Sequence, residues 1–429
     1  MNYDQALRHL EQHINLEAKA GRWEGLSLDR MRAMVHAMGD PHLAYPVIHV
    51  TGTNGKGSTT AMITELLKAR GLRVGTYTSP HLERINERIR IDGEPLDDAS
   101  FAAAVQSVAD LESLVDGRLS HFELLTAAAL GWFAEQAVDV AVVEVGLLGR
   151  WDATNVVDAA VAVITNIGRD HTDGVGDWRR AIASEKAGII KPGSTVVLGE
   201  TSAALRDVFY AEPSAGVLER GVHFGAGDNR VAVGGRSVHL RGPESSYEDV
   251  FVALHGEHQA DNAAVALAAV EAFFAAPMED DLVREAFAAV HVPGRFEVLQ
   301  RHPLVVIDAA HNPDGARVAA RTLDDFGASR RRILVLGLLQ GRDVAEMLEA
   351  LEAARAEVVL VCEPDWPRRI PAADVAAEAG RLGIGVEVVR NVADAVHRAL
   401  ALAEEDDLVL VTGSNYVIGP ARRELRALA

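Results

Sequence analysis

The chain has 429 residues, more than one hydrophobic core normally serves, so two domains are expected. Its formal charge of −20 repels nucleic acid and anionic membranes, excluding both as partners, so an anionic substrate would need a local basic or metal-bearing site. The single cysteine, Cys362, excludes an internal disulfide framework, and no run of about 18 uninterrupted apolar residues is present to span a bilayer.

The opening "MNYDQALRHLEQHI" mixes acids and bases and has no apolar h-region, so it does not read as a signal peptide. With the lone cysteine it predicts a cytoplasmic protein, and no hydrophobic stripe is left over, which predicts a monomer. "YPVIHVTG" is a short β-prone run, followed by the glycine-rich "GTNGKGS" and a helical pattern, "TTAMITELLKARG", that stops at Gly71. "LRVGTYTS" reads as a second strand. Helical patterns at "DDASFAAAVQSVADLESLV" and "FELLTAAALGWFAEQ" precede two apolar runs, "VDVAVVEVG" and "AAVAVITNIG". Strands alternating with helices predict an α/β fold with a mainly parallel sheet and helices on both faces.

Residues 194–254 differ, with short β-prone runs separated by glycines, and predict an antiparallel excursion from the first domain. "HQADNAAVALAAVEAFFA" is an alanine-rich helix. The two prolines and glycine of "VHVPGRFEVLQRHP" mark a domain boundary, giving domains of 1–293 and 294–429. Beyond it the alternation restarts with "LVVIDAA", "RRILVLGL", "AEVVLVCEP", "GVEVVR" and "DLVLVTGS", a smaller doubly wound α/β domain. Cys362 lies in one of these apolar runs and is expected to be a buried strand residue.

The loop fails both standard phosphate-binding patterns. G-x-x-x-x-G-K-[ST] would need glycine at Val50 and a hydroxyl at Gly57, and G-x-G-x-x-G would need glycine at Thr60. Its context of strand, glycine turn and helix nonetheless points to a nucleotide. Backbone N–H groups and the helix dipole offer donors to phosphate oxygens, Lys56 adds a point charge, and Ser58 or Thr59 a hydroxyl. A nucleotide held this way needs Mg²⁺, which takes oxygen ligands. Glu144 ends one apolar strand, and Asp170 and His171 follow the next, where open α/β sheets place ligands. Read alone, Lys186 in a helix is a solvated surface lysine. Asp308 and His311 of "DAAHN" stand at a strand tip in the second domain. A guanine-nucleotide switch would want N-K-x-D, but Asn166 is followed by isoleucine. A zinc hydrolase would want clustered His and Cys, and neither H-E-x-x-H nor a cysteine pair exists.

With these residues assembled, the chain resembles the folylpolyglutamate synthase/dihydrofolate synthase family of the Mur-type ATP-dependent peptide ligases. The resemblance runs nearly end to end through "GTNGKGS", "TSPHLERINERI", "HFELLTAAAL", "EVGLLGRWDATN", "ITNIGRDHTD", "IASEKAGIIKPG", "HQADNAAVA", "PGRFE", "DAAHNPDGA" and "GSNY". It implies a large N-terminal P-loop ATPase domain, a smaller C-terminal ligase domain, and ligation of L-glutamate to dihydropteroate or a reduced folate through an acyl phosphate. It further implies that Gly55, Lys56, Gly57 and Ser58 bind ATP phosphates, and that Asn262, Arg295 and Asp308 bind the nucleotide. Ser79, Glu144 and His171 would hold Mg²⁺. Lys186 would be carbamylated and ligate a second ion, and His311 would sit near the transferred phosphoryl group or incoming amino acid. Ser120, His121, Phe122 and Glu123, with Trp151, would face the pterin.

Two positions depart from the family pattern: Leu148 and Ala309 stand where glycine is usual. If either position needs positive φ, the local loop is expected to differ. Within the superfamily, a cell-wall ligase would want an extra N-terminal domain, and a loop starting near residue 50 leaves no room for one. The rival from another class is an ATP-binding regulator that does not ligate. The strand-tip acids and "DAAHN" argue against it.

Overall fold

The computed structural model describes residues 1–15, 17, 27–169, 176–327 and 331–428. Among them the first part of the chain builds an eight-stranded sheet whose centre is three parallel strands, Val140–Glu144, Val47–Thr51 and Val161–Ile164. Val74–Tyr77 extends it in parallel on one side, ahead of two short antiparallel strands at the edge, Ile89–Ile91 and Glu94–Pro95. Thr195–Leu198 and Gly216–Glu219 extend it on the other, also in parallel.

The central strands are apolar on both faces because both are covered. In Val140–Glu144, Val140 and Val142 face a core with helices Lys56–Ala69 and His258–Phe274. Ala141 and Val143 face another core with helices Asp98–Ala109 and His121–Glu135. Each buried valine contributes about 1.5–3 kcal/mol, which is why such strands read as continuous hydrophobic runs.

The β-prone stretch 194–254 divides. Only Gly225–Ala232, Gly235–Arg241 and Ser246–Val252 form an antiparallel sheet, while Thr195–Leu198 belongs to the large parallel one. The reason lies in composition. "TVVL" is buried along almost its whole length, whereas Gly225–Ala232 has no fully buried residue.

The C-terminal part is a six-stranded sheet in the order Glu297–Arg301, Leu304–Asp308, Leu408–Thr412, Arg332–Leu336, Val358–Val361, Val386–Val388. All neighbours are parallel except the first pair, a hairpin whose first strand, Glu297–Arg301, sequence reading left in the inter-domain segment. Alternate residues again enter two cores, Val306 and Leu334 in one, Val305 and Val335 in the other. Cys362 is fully buried just past Val358–Val361, and burial pushes its thiol up to about 12, so it is a packing residue. Among the described residues no helix is long and apolar enough to cross a membrane.

Candidate nucleotide and ligation site

The site lies along the C-terminal edge of the large sheet, facing the second domain. Strand Val47–Thr51 runs between the strands ending at Glu144 and Ile164, so its outgoing loop is flanked by both neighbouring strand tips. The loop is tied to one of them. Thr53 N–H donates to Asn166 O at 3.0 Å and Asn54 N–H to Asn166 Oδ1 at 3.0 Å. Thr165 Oγ1 and Asn166 Nδ2 both donate to Asn54 O, at 2.6 and 2.9 Å. Gly55 turns the chain with φ 83° into helix Lys56–Ala69, and a Cβ there would lie 2.5 Å from Asn262 Oδ1. Asn262 is itself held by Gln259 Oε1 at 2.9 Å.

Two lysines converge on one carbonyl. Lys56 Nζ donates to Gly52 O at 3.0 Å and Thr53 O at 3.2 Å, and Lys186 Nζ donates to the same Gly52 O at 2.8 Å. Beside them is a cavity of about 20 Å³, lined also by Leu148 and Gly146, which is room for a water-sized group. Lys186 is 5% exposed, not the solvated residue that a helical lysine alone suggests. Its helix, Trp178–Ala187, is overlaid by the Gly146–Arg150 loop, with Arg150 N–H on Glu185 O at 2.8 Å. Two glycines permit this approach: a Cβ on Gly149 would meet Glu185 O at 2.7 Å, and one on Gly188 would meet Arg150 Cβ at 2.4 Å.

Glu144 is 4% exposed and accepts the Ser79 N–H at 3.4 Å. Burial raises its carboxyl above the ordinary range, opposed by Lys56 and then Arg295. A Cβ on Gly57 would lie 3.8 Å from its Oε2, so the acid borders the loop. His171, with Asp170, lies outside the described residues.

Across the cleft, Asp308 accepts N–H from Phe296 at 2.8 Å and from Ala310 at 2.9 Å. Burial raises its carboxyl, opposed first by Arg295. His311 Nδ1 lies 2.9 Å from Ala309 O. Ser58, Ser79, Glu144, Asn262, Arg295, Asp308 and His311 therefore line one cleft of about 470 Å³ together with the loop.

The loop itself touches the second domain, through residues that sequence reading did not single out. Asn312 Nδ2 donates to Asn54 Oδ1 at 2.9 Å, and Asn54 Nδ2 donates back to Asn312 Oδ1 at 3.4 Å. Asn312 is fully buried and caps helix Pro313–Asp324, accepting the Gly315 N–H at 2.9 Å. An asparagine directly before proline at a helix start was a readable cap signal. Asn312→Ala is expected to lower stability by about 1–2 kcal/mol in urea unfolding, from the lost cap alone or with the lost pair.

Leu148 adopts φ 59°, the left-handed region, and its carbonyl accepts Thr51 Oγ1–H at 2.7 Å. The position does demand positive φ, but the loop keeps that geometry and the leucine takes the strain. Ala309 is not left-handed; its N–H donates to Gly294 O at 2.9 Å. Leu148→Gly and Leu148→Ala both lose the isobutyl group, and only glycine sheds the φ penalty. The glycine variant is therefore expected to be the more stable of the two by about 1 kcal/mol in thermal unfolding.

The residues carried over for the pterin are not among those lining this cleft, and of them Phe122 lies against Gly146. Ser120 caps helix His121–Glu135 in a capping box: Glu123 N–H reaches Ser120 Oγ at 3.2 Å and Ser120 N–H reaches Glu123 Oε2 at 2.7 Å. Their S-x-x-E spacing ahead of an apolar run was itself readable as a helix start. Phe122 packs on Tyr77, ring centroids 6.0 Å apart, and under Gly146, where a Cβ would meet its Cζ at 2.4 Å. His121 is held down to about 4 by burial and by Arg88, so it is neutral at physiological pH. Arg88, which sequence reading missed, grips Glu17 with two bonds of 2.8 and 2.7 Å and donates to His81 Nδ1 at 3.0 Å. Trp151 is 45% exposed.

The sequence matches the Mur ligase middle domain over residues 50–270 and the Mur ligase glutamate ligase domain over residues 294–415. It is 41% identical to the dihydrofolate synthase/folylpolyglutamate synthase of Mycobacterium tuberculosis, covering 92% of this chain and 89% of that one. Among solved structures, Mycobacterium tuberculosis folylpolyglutamate synthase complexed with ADP matches with a TM-score of 0.92 and 39% identity, covering 99% of this chain and 98% of that chain. A bifunctional folylpolyglutamate synthase/dihydrofolate synthase with Mn, AMPPNP and L-glutamate bound matches with a TM-score of 0.87 and 31% identity, covering 99% and 98%.

Proposed function

Since the chain belongs to the dihydrofolate synthase/folylpolyglutamate synthase family of Mur ligases, we propose that this one cleft ligates L-glutamate both to dihydropteroate and to reduced folates. It is an ATP-dependent ligase by that membership. The observation that carries the reading is the meeting of a glycine loop, Lys56 and Glu144 on one domain with Asp308 and His311 on the other, around a single cleft.

A carboxylate is a poor electrophile, and transfer of the ATP γ-phosphoryl group to its oxygen converts it to an acyl phosphate with release of ADP. Loop N–H groups and the start of helix Lys56–Ala69 hold the phosphates. Lys56, held on the Gly52 and Thr53 carbonyls of the loop, would offset charge on the moving phosphoryl group. Asn262, Arg295 and Asp308 would hold the rest of the nucleotide. The glutamate amine then attacks the acyl carbon, the tetrahedral intermediate expels phosphate, and the amine loses a proton. His311, its Nδ1 set against the Ala309 carbonyl, would present Nε2 on that side of the cleft.

The donor set at Glu144 and Ser79 is a buried carboxylate and a hydroxyl, which suits a hard oxygen-seeking cation such as Mg²⁺. When bound, the ion supplies charge neutralisation for the phosphate oxygens. Lys186 would contribute as a carbamate: its amine lies beside a cavity and a second cation, Lys56, where a negative group gains most. Ser120 to Glu123 and Trp151 would shape the pterin side, with Phe122 as the packed aromatic surface.

The test is ADP release with ATP, Mg²⁺ and L-glutamate, with dihydropteroate in one reaction and tetrahydrofolate in another, products being weighed by mass spectrometry. Glutamate added in both is the expected result. A product in one alone removes bifunctionality, and neither product from folded, ATP-binding protein removes the folate reading.

A further inference from the structure

Outside the residues that line the cleft, three side chains from two segments of the chain converge. His9 lies in the last turn of helix Tyr3–Glu11, and His13 follows just past its cap, four residues on, with ring centroids 5.0 Å apart. Glu112 opens the short turn Glu112–Leu114 after helix Asp98–Ala109. Its Oε2 is 2.7 Å from His9 Nε2 and its Oε1 is 3.3 Å from His13 Nε2. The three ligand atoms lie within 4.8 Å of one another, the one such group of His, Cys, Asp or Glu among the described residues.

The hydrogen-bond pattern at His13 points to a cation. His13 Nδ1 lies 2.8 Å from Leu119 O, and a carbonyl can only accept, so the proton sits on Nδ1. Nε2 then presents a lone pair to a carboxylate oxygen 3.3 Å away, acceptor against acceptor. A second ring proton or a metal ion between them would resolve that contact, and the His13 side chain is only 2% exposed. The carbonyl behind the ring is also the outer partner that metal-bound imidazoles use to fix their tautomer. Around a tetrahedral zinc, ligand N and O atoms stand about 3.3 Å apart. Glu112 turns Oε2 to His9 and Oε1 to His13, so rotation of the carboxylate and closure of the two rings from within 4.8 Å would bring one oxygen and both nitrogens to that separation.

We propose that His9, His13 and Glu112 form a binding site for a borderline transition-metal ion of the Zn²⁺ class. Two imidazoles and one carboxylate select such an ion over Mg²⁺, which demands oxygen. His9 and Glu112 are about a quarter exposed, 25% and 21%, so solvent reaches the fourth position. The site is structural and separate from the ligation cleft. Ile14, next to His13, bridges to Ser120, and its carbonyl accepts the His121 N–H at 3.0 Å. The ion would therefore clamp the N-terminal helix onto the start of helix His121–Glu135. Sequence spacing hid it, because Glu112 lies 99 residues beyond His13.

The experiment uses the full chain stripped with a chelator and titrated with Co²⁺ as the spectroscopic probe, then with Zn²⁺ in competition. Expected are one equivalent of Co²⁺ with the visible absorption of a low-coordinate site, displaced by Zn²⁺, and a rise in Tm with Zn²⁺. His9→Ala and the near-isosteric Glu112→Gln, each checked for fold by circular dichroism, should weaken binding by about 100-fold or more. Glu144→Gln should leave it unchanged. The proposal is overturned if the wild type shows no such absorption, if either substitution at the site leaves it intact, or if Glu144→Gln abolishes it.

Discussion

Replacing Lys186 with alanine should cut ligation by about 10²- to 10³-fold, the scale of losing one charged stabiliser of a transition state. The side chain is 5% exposed and its amine lies 2.8 Å from the Gly52 carbonyl that Lys56 also uses. The substitution removes a charge from the loop's interior face without opening a large apolar void, so circular dichroism should show a native fold. Partial recovery of the alanine variant in short carboxylates, together with loss of wild-type activity in CO₂-depleted buffer, would mean that a carbamate is the working group. Loss without recovery, and indifference to CO₂, would leave the ammonium itself as the active form. Full activity in the variant would take Lys186 out of the chemistry.

Glu144→Gln should abolish Mg²⁺-dependent turnover, by about 10³-fold or more, and yet raise the Tm of the nucleotide-free protein. Burial raises the Glu144 carboxyl above its unfolded value, against the opposing pull of Lys56. As pH climbs from the unfolded value towards the folded one, the unfolded chain gives up its proton first. Stability therefore falls through that window and stays lowered above it. Glutamine removes the buried charge, so the variant should be more stable at neutral pH and lose less stability across that window. The wild type should gain more Tm than the variant from Mg²⁺ with a non-hydrolysable nucleotide. A variant that is less stable without ligand, or that still turns over, contradicts the assignment. Asp308 is raised by burial too, so turnover should decline on the acid side at a pH above that of an ordinary carboxylate.

The architecture was legible because it follows from periodicity. Strands such as "VAVVE" and "LVLVT" are apolar on both faces, and only a two-sided parallel sheet hides both. The loop and Glu144 were legible for a related reason, since a strand tip is a position in sequence as well as in space. Lys186 was not, because its burial comes from a second loop settling on its helix through Gly149 and Gly188. Nor was the Asn54–Asn312 pair, whose members are 258 residues apart. Ser120 and Glu123 were legible in a different sense. Their capping-box spacing was in plain view, and the family resemblance drew attention to a substrate instead.

That asparagine pair has a thermodynamic consequence. The backbone proposed to wrap the phosphates is, one side chain away, bonded to the other domain. Any movement of the second domain away from the first would pull on the turn assigned to the nucleotide. Linkage then runs both ways: whatever factor nucleotide adds to the shut form, shutting must return to nucleotide affinity. With Asn54 and Asn312 uncoupled, ATP binding would depend less on where the second domain stands, leaving Arg295 and Asp308 to carry the link. More of the acyl phosphate, a mixed anhydride, would then be lost to water before the amine arrives.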